Sequence, residues 1–297
     1  MGGDGFGGVV VPQTMSQATW LSSYDPGMAA TKVVTVHYQA HDGRARPAYV
    51  LLPRDVGPDH APALPLVISP HGRGVDALTN THLWGDLPGQ WGFAVINPEG
   101  QGRKLKLYSW GYRRQIDDLV RMPKIIRETL PWFRIQPKRV YAVGGSMGGQ
   151  ETLLLVARRP DWLAGAAVFD SPTDMARRYH DFPLLSNGAA LQELALEEIG
   201  GTPETNSVGY ALRSPIAWAR KIAFSWKPLQ IWWSSKDQIV VDQAVQSAAL
   251  YRRILALNPK APVTSVVGTW VHSQEMTATA RLPEALEALG LRSGAGV

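Results

Sequence analysis

Short apolar runs rich in β-branched residues, most of them bounded by Gly or Pro, alternate along this 297-residue chain with stretches of helical periodicity. This alternation restricts the fold more than any other feature. Continuous apolar runs suit strands buried on both faces, as in a parallel sheet covered by helices. The runs are LPLVISP (64–70), WGFAVINP (from residue 91), KRVYAVGG (138–145), LAGAAVFD (163–170), PLQIWWSS (228–235) and PVTSVVG (262–268). A helix is expected over 115–130, where Ile116, Leu119, Ile125, Ile126 and Leu130 recur at helical intervals and Pro123 should kink or interrupt it. Others are expected over 150–160, closed by Pro160, over 241–257, and over 282–290, ending at Gly290. Ahead of them, residues 31–53 alternate apolar and polar positions on both sides of HDGR, which predicts a β-hairpin. The order implies an α/β class: a doubly wound, mostly parallel sheet in one domain over 31–297, after an irregular lead-in over 1–30. Residues 171–226 separate two expected strands and read as a mainly helical insertion, long enough to serve as a cap over a site.

Composition narrows the function classes. With 45% hydrophobic and 19% charged residues the chain has globular character, and no apolar run approaches the roughly 18 residues that span a membrane. The formal charge of +5 comes from 30 basic residues scattered among 25 acidic ones, so no basic block points to nucleic acid. The absence of cysteine excludes disulfides and thiolate metal sites. The opening MGGDGFGGVVVPQT has neither the basic segment nor the apolar length of a signal peptide, which leaves a cytoplasmic protein or a mature secreted form.

The chemistry is concentrated at VGGSMGGQ (143–150), where an expected strand gives way to an expected helix. Gly144-Gly145-Ser146-Met147-Gly148 fits G-x-S-x-G, and the strand-to-helix context is what gives that pattern meaning. A turn this sharp strains the serine backbone and brings chains together, so Gly144 and Gly148 must lack side chains, whereas Gly145 and Gly149 are expected only to ease packing. The helix start would also aim the Met147 N–H at the reacting centre as an oxyanion donor. A serine needs a base, and the base an orienting acid, in the α/β-hydrolase chain order Ser, Asp or Glu, His. Only His180 and His272 follow Ser146. His272 lies beyond the last expected strand, and His180 lies in the insertion, so His272 is the candidate base. Asp237, in the turn after the strand at 228–235, is the candidate acid; Asp242 reads as a helix N-cap, and Asp170 remains a third possibility. Upstream, His71-Gly72-Arg73-Gly74 follows an early strand, so the Arg73 N–H is the expected second oxyanion donor, with the Gly72 amide as alternative. His71 reads as structural, and the Arg73 side chain as solvated or as a ligand for an acidic substrate group.

With these segments in order, the chain over about 64–289 resembles the catalytic domain of the prolyl-oligopeptidase-like family and its esterase relatives. The resemblance rests on HGRG, KRVYAVGGSMGG, IGGTPETNSVGYALRSPI, KDQIV and GTWVH. It implies an α/β-hydrolase fold, a triad of Ser146, Asp237 and His272, and no metal or organic cofactor. Two departures stand out. About sixty residues precede the resemblance, too few for the β-propeller of the family's peptidases. Ser234-Ser235 occupies a place where relatives often carry His-Gly.

The expected reaction is hydrolysis of a carboxylic ester, small or polymeric, through an acyl-enzyme. The alternatives are a peptidase acting on short peptides and a non-catalytic binding protein on the same fold. No Glu pair stands out for the charged amino terminus that a peptidase would bind. Among eleven tryptophans, Trp270 and Trp110, with Tyr108, are candidate walls of a pocket for bulky or aromatic esters.

Overall fold

A computed structural model describes residues 19–21, 28–100 and 109–292. Nine strands form one sheet: β1 (Thr19–Leu21), β2 (Thr31–Gln39), β3 (Ala45–Pro53), β4 (Ala63–Ile68), β5 (Ala94–Pro98), β6 (Arg134–Gly145), β7 (Gly165–Phe169), β8 (Leu229–Ser234) and β9 (Val263–Gly268). Their spatial order is β1-β2-β3-β5-β4-β6-β7-β8-β9. The hairpin β2–β3 pairs antiparallel in full register from Thr31 with Pro53 to Gln39 with Ala45, and it turns at Gly43, whose φ of 79° suits glycine. From β5 to β9 every pairing is parallel.

The helices are α1 (Ala77–Thr81), α2 (Leu87–Trp91), α3 (Arg113–Thr129), α4 (Ser146–Arg158), α5 (Met175–Asp181), α6 (Gly188–Ala195), α7 (Ser207–Arg213), α8 (Ala219–Ala223), α9 (Ser247–Leu257) and α10 (Leu282–Ala288). Among the described residues no helix is long and apolar enough to cross a membrane. One face of the sheet packs against α3, α4, α8 and α9 in the larger core; the other carries Trp84, Phe93 and the apolar side of α10. Trp232 and Trp233, adjacent on β8, go to opposite faces and are both buried: Trp232 beside Phe169, Trp233 beside Tyr251. Between β7 and β8 the chain forms α5 to α8, and Trp110, Met147, Phe182 and Tyr210 make a third small core where this insertion meets the sheet.

One local expectation is narrowed and one is corrected. Of the two effects expected of Pro123, interruption does not occur: α3 runs through it. The missing N–H and ring clash cost about 3 kcal/mol, whereas burying Ile116, Leu119, Met122, Ile125 and Ile126 contributes roughly 1.5–3 kcal/mol each, so packing prevails. The helix expected over 241–257 begins only at Ser247, so Asp242 is not its N-cap. Asp242 instead sits at a φ of 56°, half-exposed, with Arg177 Nη2 at 3.8 Å. The segment before α9 is occupied otherwise: Gln243 donates to Asp237, and Gln246 accepts from the Thr173 and Asp174 amides.

Candidate active site

The sheet changes winding direction at β4, which lies between β5 and β6, and the loops after β4 and β6 meet at this switch point, where open α/β sheets bind ligands. β6 ends at Gly145 and α4 starts at Ser146 with no intervening loop. Ser146 pays for this turn with a φ of 54°, left-handed backbone that a serine adopts only when its surroundings force it. The glycines show what forces it. A Cβ at Gly144 would come within 2.5 Å of the Gly148 carbonyl carbon, and one at Gly148 would collide with the Pro70 carbonyl of the β4 loop. Gly149 proves equally constrained, contrary to its expected minor role: a Cβ there would meet the Ser171 hydroxyl and stand 2.8 Å from the Gly144 oxygen. At Gly145 the nearest atoms would be Met276 Sδ at 3.1 Å and Ser273 Oγ at 3.2 Å, so the loop carrying His272 abuts the elbow.

On the other side, a Cβ at Gly72 would be 3.8 Å from Ser146 Cβ, so the HGRG loop lies directly against the serine. Buried His71 organises that loop. The Gly100 N–H donates to His71 Nε2 at 2.9 Å, so Nε2 is unprotonated and Nδ1–H donates to the Gly72 carbonyl at 2.8 Å. In a planar trans peptide the N–H points opposite to the C=O, so fixing the Gly72 carbonyl toward His71 turns the Arg73 N–H away from it.

His272 Nδ1 lies 2.8 Å from Asp237 Oδ2. The Asp237 carboxylate is fully engaged: Oδ1 accepts from the Ile239 and Val240 amides at 2.8 and 3.0 Å, and Oδ2 also accepts from Gln243 Nε2 at 2.9 Å. Burial alone would raise its pKa, but the hydrogen bond and charge of His272, with Gln243 and the Ile239 amide, hold it below the usual carboxylate value. An ionised Asp237 accepts a hydrogen bond from His272 Nδ1–H and leaves Nε2 as the basic nitrogen. His272 and Ser146 line the same cleft of about 310 Å³, together with Gly72, Arg73, Val75, Asn80, Leu83, Gln274, Met276 and Thr277.

The other sequence-derived candidates hold other partners. His180 pairs with Glu204 at 3.0 Å on the exposed insertion. Asp170, fully buried at a φ of 46°, accepts from the Ser234 and Ser273 amides at 2.7 and 2.8 Å and from Trp270 Nε1 at 3.1 Å. Trp270 is therefore tied to Asp170, and its ring lies under the Arg281 guanidinium. Trp110 is buried against Phe182 in the small core below the insertion. Neither tryptophan lines the cleft, whose described wall has no Trp, Tyr or Phe, and Tyr108 lies outside the described residues.

Several contributors carry no sequence signal. Ser234 donates its hydroxyl to the Trp270 carbonyl at 2.6 Å and Ser235 donates to the Gly268 carbonyl at 3.0 Å, so the unusual serine pair stitches the acid loop to the histidine loop. Gln243, on the same segment as Asp237, and the buried Glu275, on the loop of His272, also stand beside the site. Asp170, Asp237 and His272 present donor atoms within 4.8 Å of one another, close enough to share a cation. Ligation would compete with the amide, Trp270 and Gln243 hydrogen bonds that already hold these carboxylates.

No family model matches the chain. A bifunctional acetylxylan esterase/xylanase from Neocallimastix patriciarum is 29% identical over 138 residues, which is 46% of this chain but only 19% of that protein. Among solved structures, an acylaminoacyl peptidase from Pyrococcus horikoshii superposes with a TM-score of 0.66 at 16% identity, over 90% of this chain and 43% of that one. An S-formylglutathione hydrolase from Agrobacterium tumefaciens gives 0.66 at 14% identity over 93% and 99% of the two chains. Acetyl xylan esterase 1 from a Thermoanaerobacterium species gives 0.63 at 15% over 96% and 89%. Peptidases and esterases thus share this architecture, and the chain has the α/β-hydrolase fold.

Proposed function

We propose that the protein is a serine hydrolase that cleaves carboxylic esters, with Ser146 as nucleophile, His272 as general base and Asp237 as the acid that orients it. The observation that carries this reading is the pairing of a strained, cleft-lining Ser146 with a cleft-lining His272 whose Nδ1 is held by an ionised, fully hydrogen-bonded Asp237. His272 Nε2 takes the Ser146 proton as Oγ attacks the ester carbonyl. The oxyanion is met by the Met147 N–H, unpaired in the first turn of α4, and by the Arg73 N–H that His71 turns outward. Collapse of the tetrahedral intermediate expels the alcohol, which takes the proton from His272, and water deacylates Ser146 by the same steps in reverse roles.

An ester is favoured over a peptide bond for two reasons. Acetyl xylan esterase 1 is among the structural neighbours and the partial relative is a bifunctional acetylxylan esterase/xylanase, and the cleft offers Arg73 where a peptidase acting on free amino termini would need carboxylates. Val75, Leu83 and Met276 make its apolar wall, which suits a short aliphatic acyl group; bulky aromatic acyl groups draw no support from it. The test is a panel of p-nitrophenyl esters against aminoacyl-p-nitroanilides, with fluorophosphonate labelling. Ester turnover should fall by about 10⁴-fold or more in Ser146→Ala. Faster anilide cleavage would replace the reading with a peptidase, and absence of both turnover and labelling would point to a binding protein.

A further inference from the structure

The amino edge of the sheet, opposite the cleft, carries a patch that the mechanism above does not use. β6 to β9 run parallel, so the loops that lead into β8 and β9 share this edge, whereas Ser146, Asp237 and His272 follow the other ends of their strands. Here α8 packs against α9. Asn258 Nδ2 donates to the Ala223 carbonyl at 2.7 Å, which ties the chain next to Leu257 to the chain next to Phe224. Phe224, Trp226 and Leu257 are 46%, 57% and 36% exposed. Trp226 also holds a φ of 56°, left-handed backbone that strains a bulky residue, although its ring projects into solvent.

Charge is as uneven as exposure. Residues 219–229 and 252–262, the two segments that meet here, contain Arg220, Lys221, Lys227, Arg252, Arg253 and Lys260 and no carboxylate. The Arg220 guanidinium lies 5.5 Å from the centre of the Phe224 ring, and Arg253 stands one helical turn before Leu257 on α9, so cations border the apolar tips. The adjoining loop before β7 brings Asp161, which is paired with Arg159 at 3.3 Å.

We propose that this edge docks the protein on an anionic lipid surface, with Phe224, Trp226 and Leu257 reaching the boundary between headgroups and acyl chains and the surrounding cations meeting lipid phosphates. Apolar and aromatic tips set among Lys and Arg match both layers of such an interface. The same charges oppose a second copy of the chain, because an isologous contact would set like cations against each other. The cleft with Ser146 and His272 lies at the opposite edge of the sheet, so docking leaves it facing water.

Cosedimentation of the full chain with large unilamellar vesicles tests the docking, with phosphatidylcholine alone set against phosphatidylcholine mixed with phosphatidylglycerol. Binding should require phosphatidylglycerol and weaken at high salt. Trp226→Gly, which also removes the left-handed strain, should lower the partition coefficient about 5- to 50-fold, and so should the double variant Lys227→Gln/Lys260→Gln. The two variants alter different side chains, so a fold defect in one, read as a lowered melting temperature, leaves the other decisive. Absence of sedimentation with either vesicle, equal binding to the neutral vesicles, or an unchanged partition coefficient in both variants would overturn the proposal. Binding to heparin without binding to vesicles would give the face to a soluble polyanion and overturn it as well.

Discussion

Asp170 and Asp237 follow adjacent parallel strands, are both buried, and stand within a few ångströms of the same imidazole, yet their surroundings drive them apart. Asp237 meets His272, two amides and Gln243, and its pKa is lowered. Asp170 meets only neutral donors, and burial followed by the nearby Asp237 charge raises its pKa in spite of the Ser273 and Ser234 amides. One loop has thus placed an ionised carboxylate on His272 Nδ1, the position that the proposed mechanism gives to the orienting acid. The other has acquired an anchor, since the Asp170 partners Ser234, Trp270 and Ser273 are the ends of the strand and loop that carry Asp237 and His272. Position at the sheet's carboxyl edge is common to both; the role follows from the partners.

Glu275 extends the contrast. Both of its carboxyl oxygens are buried without a donor, and burial followed by the Asp170 charge pushes its pKa up to about 9. At neutral pH it is therefore protonated and able to donate to Asp170, which explains how two carboxyls coexist there.

The comparison breaks first at Asp237→Asn, which should lower kcat about 10³- to 10⁴-fold, since the His272 tautomer is no longer enforced. Steady-state kinetics checks this, and a larger kcat loss in Asp170→Asn would reverse the two assignments. Asp170→Asn should instead cost roughly 2–4 kcal/mol in urea unfolding, because an amide group would face donors that need an acceptor, while kcat falls by about tenfold or less. The third effect depends on pH. Glu275 keeps its proton in the folded state up to about pH 9 but loses it near its ordinary 4.5 when unfolded, so the folded state binds the extra proton in between. The stability from neutral Glu275 is full below pH 4.5 and is lost as pH rises through 9. The melting temperature should fall over that window, and Glu275→Gln should flatten the fall. Buried Glu151, whose pKa is pushed up to about 8, contributes a slope of the same sign and should remain in that variant. Smallest is Trp270→Phe, which removes one of the three donors to Asp170 and should cost about 1 kcal/mol by denaturant midpoint.

Much of this was legible in the chain. The hairpin around HDGR, the apolar strands and the serine turn follow from periodicity and glycine placement, which act over a few residues. The uninterrupted α3 was not, because Pro123 is overruled by burial that only the assembled sheet supplies. Nor was the late start of α9, since Gln246 accepts from the Thr173 amide on the loop after β7. Ser234 belongs to no motif, and its contact with the Trp270 carbonyl reaches across a separation that local pattern does not encode.

The sequence by itself determined a parallel α/β sheet and the sharp turn that exposes Ser146, because hydrophobic period and steric freedom at glycine are properties of neighbouring residues. Which aspartate faces His272 and which buried carboxyl keeps its proton were decided only by tertiary structure. Those outcomes depend on desolvation and on hydrogen-bond partners, and both are delivered by loops that the chain brings together from far apart.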